Sequence, residues 1–274
     1  MKNRASGFTA VALALIAGIA QAQQGVRASL DEVVAGSHRS EANRARDVHR
    51  HPVQTLEFFG VQPDMTVVEV SPGAGWYTEI LGPLLRERGR LYLAGAPLSR
   101  PDIPEYARRM QGALNERIKA EPQSFGSVVV TELDPARGVP IAPAGSADVV
   151  LTFRNVHNWI KAGTAQQVFD TMAAALKPGG VLGVVEHRAR PSATTEEMGR
   201  SGYVTEEQVI AYATAAGLRL DARSEINANP RDTRDWPDGV WTLPPSLRLG
   251  DKDREKYLAI GESDRMTLRF VKPR

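Results

Sequence analysis

The sequence predicts an α/β fold, a mostly parallel sheet with helices on both faces, built around a Rossmann-like nucleoside-binding turn. Three observations carry this. The apolar run Val67-Val68-Glu69-Val70 passes through Ser71-Pro72-Gly73-Ala74-Gly75 into a helical pattern. Such a turn leaves backbone N–H groups free at a helix start and little Cβ bulk in a ligand's way. Apolar strands then alternate with amphipathic helical stretches along the chain, as parallel strands joined by crossover helices require. Finally, Ala147–Phe153 is a nearly continuous apolar run, the pattern of a parallel strand buried on both faces.

Taken in order, the 274-residue chain begins with a targeting pattern. Lys2 and Arg4 precede an uncharged, mostly apolar stretch from Gly7 to Ala20, and Ala20-Gln21-Ala22 is a small-x-small site. A signal peptide over 1–22 is expected, cleaved before Gln23. The apolar stretch is short for a bilayer crossing. The mature chain is therefore expected to be exported, most simply to a bacterial periplasm, with no membrane partner after cleavage. Removing Lys2 and Arg4 from 34 basic residues leaves 32 against 32 acidic ones, and this balance argues against a nucleic-acid partner. With no cysteine, disulfides, thiolate metal sites and cysteine nucleophiles are excluded.

Residues 23–60 read as an N-terminal helical segment, with short helices near 29–34 and 53–59 ended by Gly60. Between them, 37–52 holds four Arg, two acids and three of the chain's five His. It reads either as a solvated helix face or as a lid over a pocket. Residues 61–274 read as the α/β domain. Its first strand is 66–70. A helix over 77–88 follows, with Gly82-Pro83 expected to kink or split it. A second strand spans 90–94, an amphipathic helix 101–119, a third strand 128–131 and a fourth 147–153. Thr164-Ala165-Gln166-Gln167 is a capping-box pattern opening a helix to Leu176. Lys177-Pro178-Gly179-Gly180 is expected to turn the chain into a fifth strand, 181–186. Thr205-Glu206-Glu207-Gln208 caps a further helix, ended by Gly217. A sixth strand, 218–226, and an irregular excursion to about Gly261 precede the last strand, 266–272. Because no regular helix leads into it, that strand is free to run antiparallel. The Arg231–Asp235 run within the excursion reads as a surface salt-bridge cluster or a rim over substrate.

Three segments in this order resemble the class I S-adenosylmethionine-dependent methyltransferases: Glu69-Val70-Ser71-Pro72-Gly73-Ala74-Gly75, then Asn155-Val156-His157-Asn158-Trp159 after the fourth strand, then Leu176-Lys177-Pro178-Gly179-Gly180. Arg50-His51-Pro52, Phe153–Trp159 and Glu262–Leu268 further resemble a subfamily of predicted exported bacterial methyltransferases. The resemblance covers about 44–273. It implies the Rossmann-like class I methyltransferase fold, a seven-stranded sheet of order 3-2-1-4-5-7-6 with strand 7 antiparallel. It also implies S-adenosylmethionine as cofactor, lying across the carboxyl ends of strands 1, 2 and 4, and methyl transfer to a small-molecule acceptor by in-line displacement.

On this resemblance the cofactor-binding residues are Glu69, Ser71, Gly73, Gly75, Trp76, Asp134 and Asn155. Glu69 would order the amino group of the methionine tail. Asp134 either accepts the adenine amino group or serves as a turn-forming Asp before Pro135. His157 and His187 follow the fourth and fifth strands, and Glu186 adjoins His187, so these three are the catalytic candidates. His51, Arg154, Asn158 and Trp159 are the acceptor-binding candidates, with Arg154, Asn155 and Asn158 placed to orient either the acceptor or the cofactor's carboxylate. Trp76 and Trp159 are placed to offer a π face to a sulfonium, whereas Trp241 reads as core. No metal is expected, since no spacing of His51, His157, Glu186 and His187 in the sequence is of metal type. Two departures stand out. Ser71 replaces the first glycine of the turn, acceptable if its φ is negative. The second strand ends Leu93-Ala94-Gly95-Ala96-Pro97, without the acid that holds the ribose in the family, a loss of about 1.5–3 kcal/mol. A catalytically degenerate ligand-binding or accessory protein is therefore the alternative. A dinucleotide oxidoreductase is disfavoured, because Gly73-Ala74-Gly75-Trp76-Tyr77-Thr78 lacks the third glycine.

Overall fold

The structure, a computed structural model, describes residues 24–274, so the signal-peptide expectation over 1–22 lies outside the described residues. Strands β1 (Thr66–Val70), β2 (Arg90–Gly95), β3 (Val128–Glu132), β4 (Ala147–Phe153), β5 (Leu176–His187), β6 (Arg219–Ser224) and β7 (Arg265–Val271) form one sheet. Its order is β3-β2-β1-β4-β5-β7-β6, the order expected from the sequence. All neighbours pair in parallel except β7, which runs antiparallel to both β5 and β6.

The period-2 alternation of the strands divides the core between two faces. Val67, Leu91, Leu93, Val149 and Leu151 pack under α1 (24–35), α4 (Pro52–Phe58), α5 (Thr78–Leu85) and α6 (Glu105–Ala120) through Leu30, Leu56, Ile80, Leu81 and Leu114. Val68, Val70, Val150 and Val184 pack under α8 (Val156–Lys161), α9 (Ala165–Ala175) and α11 (Glu206–Ala215) through Ile160, Phe169, Met172 and Val209. β3 and β6 are the edge strands, and the residues of β6 alternate between exposed and half-buried.

Three local expectations are corrected. Pro83 does not split α5. Its missing N–H leaves the Glu79 carbonyl without the usual helical donor, and the His38 ring nitrogen Nε2 hydrogen-bonds that oxygen at 2.8 Å. Thr164 caps nothing with its side chain. A full capping box forms instead at Thr194 and Glu197, opening α10 (Thr195–Ser201). The Lys177-Pro178-Gly179-Gly180 stretch is a bulge inside one strand: Leu176 already pairs with Ala147, and the ladder resumes at Val181 with Val149.

The charged stretch 37–52, which includes α2 (Glu41–Arg44) and α3 (Asp47–Arg50), is not a solvated helix face. Arg39, only 1% exposed, donates two hydrogen bonds to Asp47 at 2.7 and 2.8 Å and one to the buried Glu79 at 3.2 Å. Glu79 also accepts from Asn43 and from Arg117 of α6, both at 3.0 Å. A buried carboxylate with three donors is well satisfied, and removing any one partner would leave uncompensated charge inside. These bonds tie the N-terminal segment to α5 and α6. In the Arg231–Asp235 run the surface salt-bridge reading holds for Asp235, which pairs with Arg190 at 3.0 Å, and is corrected for Asp232. Asp232 is a buried hub that accepts from the Tyr203 hydroxyl, Trp236 Nε1 and the Asp264 amide at 2.7–3.0 Å.

Candidate active site

Two adjoining cavities open at the carboxyl ends of β1, β2 and β4, where an open α/β sheet offers its crevice. One, of about 490 Å³, lies over β2 and β3 and includes Gly95, Gln111, Leu133, Asp134 and Trp159 in its wall. The other, of about 640 Å³, lies over β4 and β5 and includes Arg50, Arg154, His157, His187, Trp241 and Glu262. Ser71, Gly73, Asn155 and Asn158 border both, with Tyr106 and Met110 of α6 above them.

The glycine turn is the shared wall. Gly73 and Gly75 have φ of 61° and 82°, and a Cβ on Gly75 would lie 2.6 Å from the Leu114 side chain. Among the described residues the Gly73 and Ala74 amides donate to no backbone acceptor. Asn155 clamps the turn, its Nδ2 donating to the carbonyls of Val70 and Ser71 at 3.2 Å and to Thr152 Oγ1 at 3.1 Å. Ser71 has φ of 54°, contrary to the negative φ expected. A non-glycine residue held left-handed costs about 1–2 kcal/mol. Ser71→Gly is expected to raise stability by about 0.5–1 kcal/mol, the strain relieved less the flexibility glycine adds to the unfolded chain. Denaturant titration checks this, and a drop in stability would mean the Ser71 hydroxyl makes a contact worth more than the strain.

Glu69 lies beneath the turn and borders neither cavity. It is 2% exposed and accepts from Thr78 Oγ1 at 2.7 Å. Burial raises its pKa from 4.5 to about 7, opposed only in part by that hydrogen bond. The folded state therefore binds this proton more tightly than the unfolded state. The contribution is full below pH ~4.5, is lost as pH rises towards 7, and amounts to roughly 3 kcal/mol. Glu69→Gln keeps an acceptor for Thr78 and removes the titration. The variant is expected to match wild type near pH 4.5 and to be more stable above pH 7, measured as the difference between their unfolding free energies. A constant difference across this range would contradict the assignment.

At the end of β2 a glutamine side chain takes the space an acid would fill. A Cβ on Gly95 would lie 1.9 Å from Gln111 Oε1. The Gln111 carboxamide occupies that space, accepting from the Ala96 amide at 3.2 Å and donating to Asn115 Oδ1 at 2.8 Å. Across the cavity, Asp134 is 1% exposed and its Oδ2 has no partner among the described residues. Its side chain caps no turn, and Oδ1 has only Arg100 at 3.4 Å. Asp134 does open the turn into Pro135–Arg137, its carbonyl accepting from the Arg137 amide at 3.1 Å, so the turn reading holds for its backbone and leaves the carboxylate Oδ2 free for a ligand.

The three catalytic candidates come together. Glu186, fully buried, accepts from the Val156 amide at 2.6 Å and the His187 amide at 2.8 Å. Its Oε1 lies 3.2 Å from His157 Nδ1. With both carboxylate oxygens accepting, Nδ1 is the donor, which leaves Nε2 as the ring's acceptor. His187 packs 5.5 Å from the His157 ring and pairs through Nδ1 with Ser263 Oγ. Burial, then the neighbouring His157 and Arg154, holds the His187 pKa well below 6.5, so this ring is neutral at neutral pH. Ligand atoms of His157, Glu186 and His187 lie within 4.8 Å of one another, a cluster that sequence spacing did not reveal. The surrounding charge disfavours a cation there, since Arg50, Arg154 and Arg265 all act on His187.

Other expectations fare differently. His51, in a left-handed conformation between α3 and α4, borders neither cavity. Gly75 shapes the turn from behind. Trp76 borders the larger cavity, and the guanidiniums of Arg39 and Arg50 lie 5.0 and 4.6 Å from its ring centroid. The Trp76 ring is thus a platform for the protein's own cations. Trp159 belongs to the smaller cavity, while Trp241, expected in the core, borders the larger one with its ring 5.9 Å from His157. Arg154 and Asn158 sit as expected on the larger cavity. Sequence reading missed Arg46, Arg50, Gln111 and Glu262.

No protein-family model matches the sequence, and no curated protein resembles it by sequence. Solved structures do resemble it. A SAM-dependent methyltransferase from Aquifex aeolicus has a TM-score of 0.54 at 18% identity, with 83% of this chain and 92% of that one covered. A putative methyltransferase of Haloferax volcanii, solved with the Trm112 activator, has a TM-score of 0.54 at 17% identity over 91% and 98% of the two chains. The (4+2)-cyclase SpnF has a TM-score of 0.55 at 17% identity over 87% and 85%. The fold is that of the class I S-adenosylmethionine-dependent methyltransferases. At these identities the likeness speaks to architecture, and the cyclase illustrates that one architecture hosts more than one chemistry.

Proposed function

We propose that this protein transfers a methyl group from S-adenosylmethionine to a small-molecule acceptor. The observation that carries the reading is the pairing of a nucleoside-sized cavity with a catalytic-type cluster across one glycine turn. In the smaller cavity the orphaned Asp134 Oδ2 fits an adenine amino group, and Gln111 stands where the family places its ribose acid. Ser71, Gly73 and Asn155 border the path from that cavity to the larger one, where the methionine end belongs. Bound there, S-adenosylmethionine supplies an activated methyl group. The chain's own part is to hold an acceptor in line with it. His157, its Nδ1–H directed at Glu186, offers Nε2 to take a proton from the acceptor. His187, kept neutral, lines the same wall, and Arg154 and Asn158 orient the acceptor.

Within the N-terminal segment, residues 24–60 act as a fixed lid, since Asn43, Arg46 and Arg50 wall the larger cavity while Arg39 and His38 anchor the segment to α5. Export through the 1–22 signal, to a periplasm, belongs to the same reading, as does membership of an exported subfamily. No helix of the described residues is long and apolar enough to cross a membrane.

One observation favours a second reading. With Gly95 in place of an acid, cofactor affinity falls, and a ligand-binding protein that no longer turns over would tolerate that. Incubation with methyl-labelled S-adenosylmethionine and fractionated small molecules separates the two. Label transferred to an acceptor with matching adenosylhomocysteine supports the enzyme. Adenosylhomocysteine at the protein-free rate in every fraction contradicts it.

A further inference from the structure

We propose that the acceptor is an anion, held through a carboxylate or phosphate group by Arg46, Arg50 and Arg154 in the larger cavity. This rests on the methyltransferase reading for the word acceptor, but the anion site itself stands on the geometry.

Five cationic side chains, Arg46, Arg50, Arg154, Lys161 and Arg248, face the larger cavity against one carboxylate, Glu262. Glu262 is 4% exposed and already serves three guanidiniums: Arg46 at 2.6 Å, Arg50 at 3.3 Å and Arg265 at 2.7 Å. One negative charge is shared among three positive ones. Arg50 is 2% exposed, and its Nη1, like Nη2 of Arg46, is buried with no hydrogen-bond partner among the described residues. Arg154 has neither an ion pair nor a side-chain hydrogen bond among them. Burial, followed by the field of Arg265, pulls its pKa down to about 10. Its backbone is held at φ 63°, a conformation that arginine rarely adopts. Guanidiniums do not escape such a site by losing a proton. Unpaired N–H donors on one buried and two half-buried cations call for an acceptor that carries negative charge.

The cofactor, whose methionine end is assigned to this cavity, brings only one carboxylate to meet this need. Its sulfonium and ammonium outweigh its single carboxylate, so it would bring net positive charge to an already positive cavity. The balancing charge has to arrive with the acceptor. A second expectation follows by linkage: the anion should strengthen cofactor binding or leave it unchanged, never compete with it.

Thermal unfolding with sodium phosphate, sulfate or malonate, against sodium chloride at equal ionic strength, tests the site without any cofactor. A saturable rise in Tm is expected with the oxyanions and not with chloride. Phosphate and sulfate together against malonate tell a phosphate-type acceptor from a carboxylate one. In Arg154→Met and, separately, in Arg46→Met, the half-saturating concentration should rise at least tenfold, while the exposed-surface control Lys119→Met should behave as wild type. Folding of each variant is confirmed from its cooperative transition in chloride. No oxyanion-specific stabilisation, or equal stabilisation in both arginine variants, overturns the proposal. So does phosphate that weakens S-adenosylmethionine binding in proportion to its concentration, because the arginines would then be holding the cofactor's own carboxylate. Failure of S-adenosylmethionine to bind at all would sink the methyltransferase reading and leave the anion result intact.

Discussion

Gly73→Val is expected to abolish S-adenosylmethionine binding, lowering affinity by at least a hundredfold, while the protein still folds. Two effects act together. At φ 61° a β-branched residue is strained by about 1–3 kcal/mol, so the turn will shift. In addition, Gly73 borders both cavities, and a valine side chain would project where the ligand must approach the backbone. Inside the protein the position has space, since a Cβ there meets only Met110 Sδ at 3.5 Å. The loss should therefore fall on ligand binding rather than packing. Calorimetry with the variant, alongside its circular dichroism, separates the two. Undiminished affinity in a folded Gly73→Val protein would mean the nucleoside site is elsewhere.

The second large effect belongs to His157. His157→Ala should reduce kcat by about 10²- to 10⁴-fold, the range for a general base, with the cofactor Kd within a factor of two of wild type. His157 borders only the larger cavity, whereas the adenosine contacts are assigned to the smaller one. If the histidine merely filled space, His157→Gln would restore kcat. A variant with wild-type kcat would remove His157 from the chemistry.

How much of this was legible in the sequence depended on how local the signal was. The glycine turn and the buried fourth strand follow from periodicity and turn residues within a few positions of one another, whereas the sheet order and the antiparallel direction of the last strand, which the irregular excursion only permitted, followed from resemblance. The neighbourhood of His157 and His187 was also legible, because each follows a strand whose carboxyl end must lie on the same edge. The arginine cluster was not. Arg46 and Arg50 meet Glu262 across more than two hundred residues, and no spacing within either segment announces the partner. The same applies to Gln111, which fills the space of an acid on a different element. Ser71 was misjudged because a serine carries no local mark of a positive φ. Only the clamp formed by Asn155 and the paired strands fixes it. Trp76, read as a ligand surface from its place after the turn, does border the larger cavity, but its contacts with Arg39 and Arg50, brought in by the N-terminal segment, were not legible.

The central claim is that the turn between β1 and α5 binds an adenosyl cofactor although β2 ends without an acid. Calorimetric titration of the mature chain with S-adenosylmethionine and with S-adenosylhomocysteine tests it most directly. The account predicts saturable binding of both at about one site per chain, roughly ten- to a hundredfold weaker than an acid at Gly95 would give. No heat and no thermal stabilisation at millimolar concentrations of either ligand would contradict it.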